Sequence, residues 1–94
     1  MNFFKAKKAI EIEISLQEIT SKSVTVVTKK KSDREGSYRV YVNGWKYNLR
    51  GFPILNEDRL KIDATYFKKG ENCIQIVTKD SSGNKKTYEE EFVI

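Results

Sequence analysis

The chemistry open to a chain is bounded by its reactive side chains, and here the bound is tight. Histidine is absent, which removes the usual proton shuttle near neutral pH and the commonest metal ligand together. Cys73 is the only cysteine, and one thiol builds neither an intrachain disulfide nor a cysteine-based metal centre. Catalytic triads, histidine zinc sites and Cys–His nucleophiles are therefore excluded. Carboxylates are plentiful, and two of them at about 5–9.5 Å could do glycosidase chemistry. Glu89, Glu90 and Glu91 read more simply as a charged edge that discourages sheet-to-sheet pairing. Asp80, Ser82 and Asn84 alternate like a fragment of a calcium loop, since hard cations prefer several oxygens from one short segment. Only one of the three is a carboxylate and no bidentate Glu follows, so a turn held by side-chain hydrogen bonds is the better reading. No enzyme activity, cofactor or metal is expected.

Two sets of side chains remain that could bind something. The first is basic: the net charge is +5, and Lys29, Lys30, Lys31, Lys79, Lys85 and Lys86 fall in or beside loops. Such a balance raises the prior for polyanions such as nucleic acid, although solubility alone also accounts for it. Asp33, Glu35 and Asp80 partly neutralise the cluster, and no aromatic-interleaved groove accompanies it. The second set is aromatic. Arg39, Tyr41, Trp45 and Tyr47 flank a tight turn, and Tyr, Trp and Arg are the residues enriched at binding hot spots. The competing reading folds Trp45 and Tyr47 over the linker around Phe52 and Ile54 to complete the core.

These residues sit on strands. Alternation of apolar and polar residues over 10–16 (Ile10, Ile12, Ile14, Leu16) is the two-residue period of a half-buried strand. A β-branched segment follows at 23–28, with Val24, Val26 and Thr28 on its inner face, and then a charged loop over 29–36. Residues 38–42 alternate again and run into Asn43-Gly44, which suits a type I′ hairpin turn, with a return strand expected over 45–49. Inward Val40 and Val42 send Arg39 and Tyr41 to the opposite face. The linker over 50–59 carries the only proline, Pro53, and shows no strand signal. Further strands are expected over 60–66, 73–78 and 85–94, the last with a bulge between Tyr88 and Phe92 because Glu90 interrupts its apolar face.

Seven short strands with turn signals at roughly 8–12-residue spacing predict an all-β, seven-stranded antiparallel sandwich. Ninety-four residues suffice for one domain with one core, here expected on Ile10, Ile12, Ile14, Val24, Val26, Val40, Val42, Ile62, Ile74, Ile76 and Phe92. Residues 1–8 read as a flexible basic arm. Neither a signal-type apolar run of roughly 7–15 residues near the start nor a bilayer-spanning run of about 20 is present. The expectation is no membrane insertion, with the protein cytoplasmic or virion-associated unless cut from a larger exported chain.

From Val40 onward the chain resembles the bacterial immunoglobulin-like domains found on surface proteins, glycoside hydrolases and phage virion proteins. The likeness is carried by Val42-Asn43-Gly44 closing one hairpin, by Gly70-Glu71-Asn72 followed by Ile74 and Ile76, and by Asp80-Ser81-Ser82-Gly83-Asn84 opening the final strand. Fibronectin type III domains share the strand pattern, and the subtype stays open. The resemblance implies an Ig-like fold and a non-enzymatic structural or protein-interaction module of a phage virion or bacterial surface assembly, docking another protein or a second copy. The basic charge sets this chain apart from exported tandem modules, which are usually acidic or neutral and joined by proline-rich hinges. Together with its own opening methionine, that favours a small stand-alone protein of a phage or mobile element. The alternative function is a basic intracellular protein that binds nucleic acid or a host factor.

Overall fold

A computed structural model of the chain describes residues 10–31 and 35–94. The basic arm expected over 1–8 and the loop positions 32–34, Asp33 among them, lie outside the described residues. Eight strands form among those described: β1 (Ile12–Gln17), β2 (Ser23–Lys30), β3 (Gly36–Val42), β4 (Trp45–Lys46), β5 (Phe52–Pro53), β6 (Glu57–Asp63), β7 (Glu71–Asp80) and β8 (Lys85–Val93). One turn of 3-10 helix, Ala64–Tyr66, follows β6, with Asp63 accepting the Thr65 N–H at 2.9 Å. The strands make two antiparallel sheets, ordered β1-β2-β6 and β4-β3-β7-β8, with β5 pairing the other half of the β3 edge. No helix of the described residues is long and apolar enough to cross a membrane.

The two inner faces share one apolar core. The smaller sheet contributes Ile12, Val24, Val26 and Ile62, and the larger sheet contributes Tyr38, Val40, Val42, Ile74, Ile76 and Phe92. Ile10 is fully buried just ahead of β1, while Ile14, expected in the core, is half-buried on the edge strand opposite Thr28. Val27 points to the outer face of the smaller sheet yet is only 1% exposed. Its neighbours across β2 are Ser15 and Arg59, and the Arg59 guanidinium donates to Gln17 Oε1 at 3.3 Å across that face. Long polar side chains thus cover an apolar centre.

The eighth strand and the shortened hairpin correct the seven-strand expectation. The return strand is not 45–49: it stops at Lys46, and the Asn48 side chain then takes over from backbone. Asn48 Oδ1 accepts the Val40 N–H at 2.7 Å, and its Nδ2 donates to the carbonyls of Tyr38 (3.2 Å) and Arg50 (2.6 Å). Beyond it the linker, which showed no strand signal, supplies β5, where Pro53 is tolerated because the strand is an edge. The strand expected over 60–66 begins earlier, at Glu57, and yields to the 3-10 turn after Asp63.

No bulge breaks β8. Its pairing with β7 is continuous from Glu71↔Val93 to Lys79↔Lys85, so Glu90 stands opposite Ile74 on the inner side, half-buried on an edge strand. An inward-pointing charge there hinders addition of a further strand. The seam between the sheets is closed by Tyr88, whose hydroxyl donates to the Ile10 carbonyl and accepts the Ile12 N–H, both at 3.1 Å.

Two turns follow the sequence closely. Asn43 and Gly44 have φ of +50° and +85°, as a two-residue hairpin loop demands. The Asn43 amide also bonds Asn72 Oδ1 (2.9 Å) and the Cys73 N–H (2.8 Å), tying the hairpin to β7. At Gly36 a side chain would collide with Ile10 and the Lys79 backbone, so the start of β3 needs glycine.

Candidate docking face

Alternation along the larger sheet leaves its outer face uncovered by any described element, and the strand register arranges that face in rows. Ser37, Lys79 and Lys85 form the first row; Arg39, Val77 and Thr87 the second; Tyr41, Gln75 and Glu89 the third; Cys73 and Glu91 the fourth. Lys46 of β4 extends the third row beside Tyr41. Arg39 is exposed, and Tyr41, Gln75 and Val77 are half-buried.

Charge is segregated along the strands. Lys79 and Lys85 are directly paired across β7 and β8 with Arg39 one row away, an arrangement of like charges that destabilises a bare sheet. A depression of about 200 Å³ opens there, lined by Arg39, Tyr41, Gly51, Val77, Lys79 and Lys85 among others. The far end carries the carboxylates: Glu89, Glu91 and Glu71 occupy successive rows, beside a wider hollow of about 340 Å³ that includes Cys73 and Glu91, with Lys68 on its lining and Lys46 at the β4 margin.

Cys73 is not poised for chemistry. Burial, then its hydrogen bond to Glu89 Oε1 (3.0 Å) and the charges of Glu89 and Glu91, push its thiol up to about 11. A group held so firmly protonated is a poor nucleophile near neutrality. The Asp80 carboxylate is engaged by its own turn: Oδ1 accepts the N–H groups of Ser82 and Asn84 at 2.9 Å each, and Oδ2 accepts Asn84 Nδ2 at 3.0 Å. That is the side-chain-bonded turn expected from the sequence.

No family model, curated protein or solved structure matches the chain. The geometry alone must carry the functional reading.

The four aromatic and arginine candidates are divided between two sides of the sheet. Arg39 and Tyr41 share the outer face, whereas Trp45 pairs with Val42 and so lies on the opposite side. There Trp45 overhangs the sheet edge, 80% exposed. Tyr47 returns to the core margin and packs edge-on against Tyr66, with ring centroids 5.0 Å apart. The signal was available: a two-residue loop at 43–44 pairs Val42 with Trp45 and Tyr41 with Lys46, which puts Tyr41 and Trp45 on opposite sides.

The six lysines are likewise dispersed over faces. Gly36 pairs with Asp80, which brings the start of β3 and the β7–β8 turn to one end. Lys29 lies on the outer face of the smaller sheet between Glu13 and Glu57, and Lys31 forms an ion pair with Glu13 at 3.1 Å. Lys30 is half-buried opposite Ile12, and Lys86 lies over the Tyr88 ring at 5.1 Å. Of these six, only Lys79 and Lys85 join Arg39 on the outer face of the larger sheet. Sequence reasoning placed neither them nor the glutamates on the Arg39–Tyr41 face; the register of β7 and β8 through the 81–84 turn does so.

Proposed function

We propose that this chain is a non-enzymatic interaction module with an Ig-like sandwich fold, docking a protein through the outer face of its larger sheet. The strand orders β1-β2-β6 and β4-β3-β7-β8 support the Ig-like reading, since they distribute the strands between sheets as such sandwiches do. The observation that carries the function is the uncovered row structure around Arg39 and Tyr41: a half-buried ring and a guanidinium side by side, flanked by opposite charges at the two ends. Interfaces combine an aromatic or arginine anchor with a polar, charged rim in this way. Assembly within a virion or on a cell surface is the setting that suits a small docking module of this kind.

The competing function is polyanion binding through the lysines. Among the described residues, dispersal of Lys29, Lys31, Lys79 and Lys85 over two faces leaves no continuous basic track for a nucleic-acid backbone, which favours the protein partner. Chromatography on heparin and duplex DNA separates the two. The docking reading predicts elution well below about 0.5 M salt, because purely charge-driven contacts weaken steeply with ionic strength. Retention beyond that point would favour nucleic acid. Tail or capsid genes beside the gene for this chain would support the virion setting, and replication or early genes the intracellular one.

A further inference from the structure

The outer face of the larger sheet is polar in the electrostatic sense, cationic at one end and anionic at the other, and this constrains what fits it. A uniformly acidic partner satisfies Lys79 and Lys85 but clashes with Glu89 and Glu91; a basic one does the reverse. A partner of opposite polarity satisfies both ends, and a second copy of the same face, turned end for end, has that polarity.

We propose that two copies of this chain pair face to face through the outer surface of the β3-β7-β8 sheet, about a two-fold axis lying in the interface and perpendicular to the strands. This rests on the docking reading above and names its occupant. The alternative axis, parallel to the strands, would set lysines against lysines. With the axis passing at the level of Val40, Ile76 and Tyr88, the register fixes the correspondence: Arg39 meets Tyr41 of the other copy, Val77 meets Gln75, Lys85 meets Glu91, and Lys79 meets Cys73 between Glu91 and Glu71. An isologous interface makes every such contact twice. Arg39 over the Tyr41 ring is a cation–π pair at the centre, and Lys85 with Glu91 forms the rim. That carboxylate relieves the like-charge opposition of Lys79 and Lys85.

The area sets the strength. A face of three to four strands at about 4.8 Å spacing, eight or so residues long at about 3.4 Å each, covers roughly 400 Å² per copy. Two such faces fall at the lower end of specific interfaces, in the range of weak, reversible association. A dissociation constant on the order of 10–100 µM, rising with salt, is the expectation.

Sedimentation velocity from about 10 µM to 1 mM at low salt tests this, on the full chain and on charge-swapped variants, with thermal melts recorded beside it. Lys85→Glu alone and Glu91→Lys alone should each weaken the dimer at least tenfold, since each sets like charges opposite one another. The double variant Lys85→Glu/Glu91→Lys should regain wild-type association, and an equimolar mixture of the two single variants should form a heterodimer. A wild-type chain that stays monomeric at 1 mM, or a double variant no better than the singles, overturns the pairing. An anion-binding role would show as loss in Lys85→Glu with no loss in Glu91→Lys, and also overturns it. A monomeric wild type leaves the docking reading standing; that reading fails instead if Tyr41→Ser melts far below wild type, because Tyr41 would then be core.

Discussion

Asn48 stands beside Val40 as a strand residue would, with its side-chain amide in place of a backbone peptide: Oδ1 accepts the Val40 N–H at 2.7 Å while Nδ2 donates to the Tyr38 carbonyl at 3.2 Å. The β3 edge is thereby satisfied in the gap between two strands that are each only two residues long. Both backbone groups are buried, so neither could turn to water if the amide were lost.

Asn48→Ala should therefore destabilise the fold by about 2–3 kcal/mol, since it strands a buried donor and a buried acceptor. In a domain of this size that lowers the melting temperature by roughly 10–20 °C. Urea unfolding measures it, and a loss below about 0.5 kcal/mol would mean that the β3 edge is satisfied otherwise.

Tyr88 does similar work at the sheet seam, where its hydroxyl bridges Ile10 and Ile12. Tyr88→Phe keeps the ring and removes the bridge, so a cost of about 1–2 kcal/mol is expected. Hydrogen exchange at the Ile12 amide should quicken more than exchange in β3 or β7. Uniform acceleration through the core would argue against a local seam.

Tyr38 ties stability to alkaline pH. Burial, then its hydrogen bond to Asp58 at 2.9 Å and the charge of that carboxylate, raise the phenol above its ordinary value near 10. The folded state holds the proton more tightly than the unfolded chain, so this stability is complete below about pH 10 and declines as pH rises through the folded value. The slope approaches about 1.4 kcal/mol per pH unit. Tyr38→Phe should be less stable at pH 7 through loss of the Asp58 bond, yet show a shallower decline above pH 10. Parallel curves for the two proteins would rule out Tyr38 as the titrating group.

Cys73 offers a chemical probe of the face. With its thiol pushed up to about 11, alkylation by iodoacetamide at pH 8 should run on the order of 100-fold slower than for a free thiol. Glu89→Gln removes a charge and weakens the acceptor, and should speed the reaction several-fold. A wild-type rate equal to that of a free cysteine would contradict the Cys73–Glu89 contact.

Period-two alternation made much of this fold legible in advance. Val24, Val26, Val40, Val42, Ile62, Ile74, Ile76 and Phe92 are inward and buried as their spacing implies, and Asn43-Gly44 and the Asp80 turn adopt the geometry their residue types favour. The elements that escaped notice share a cause. Asn48 and Tyr88 complete backbone hydrogen bonding with side chains, which leaves no periodic trace, and β5 is too short to have a period. Glu90 suggested a bulge because alternation assumes that an inner face is fully covered, whereas β8 is an edge. The candidate surface was half legible: Arg39 and Tyr41 follow from alternation within β3, but Lys79, Lys85, Glu89 and Glu91 join them only through register between strands.

The central claim is that Tyr41 belongs to the outer docking face and not to the core, and one substitution tests it most directly. Tyr41→Ser, compared with wild type by sedimentation and by thermal melting in the same buffer, should keep its stability within about 1 kcal/mol, as outward strand positions do. Its association should weaken by about 1–2 kcal/mol, roughly tenfold, if the ring is an anchor. Unchanged association together with a large fall in melting temperature would contradict the account and show that Tyr41 packs inward.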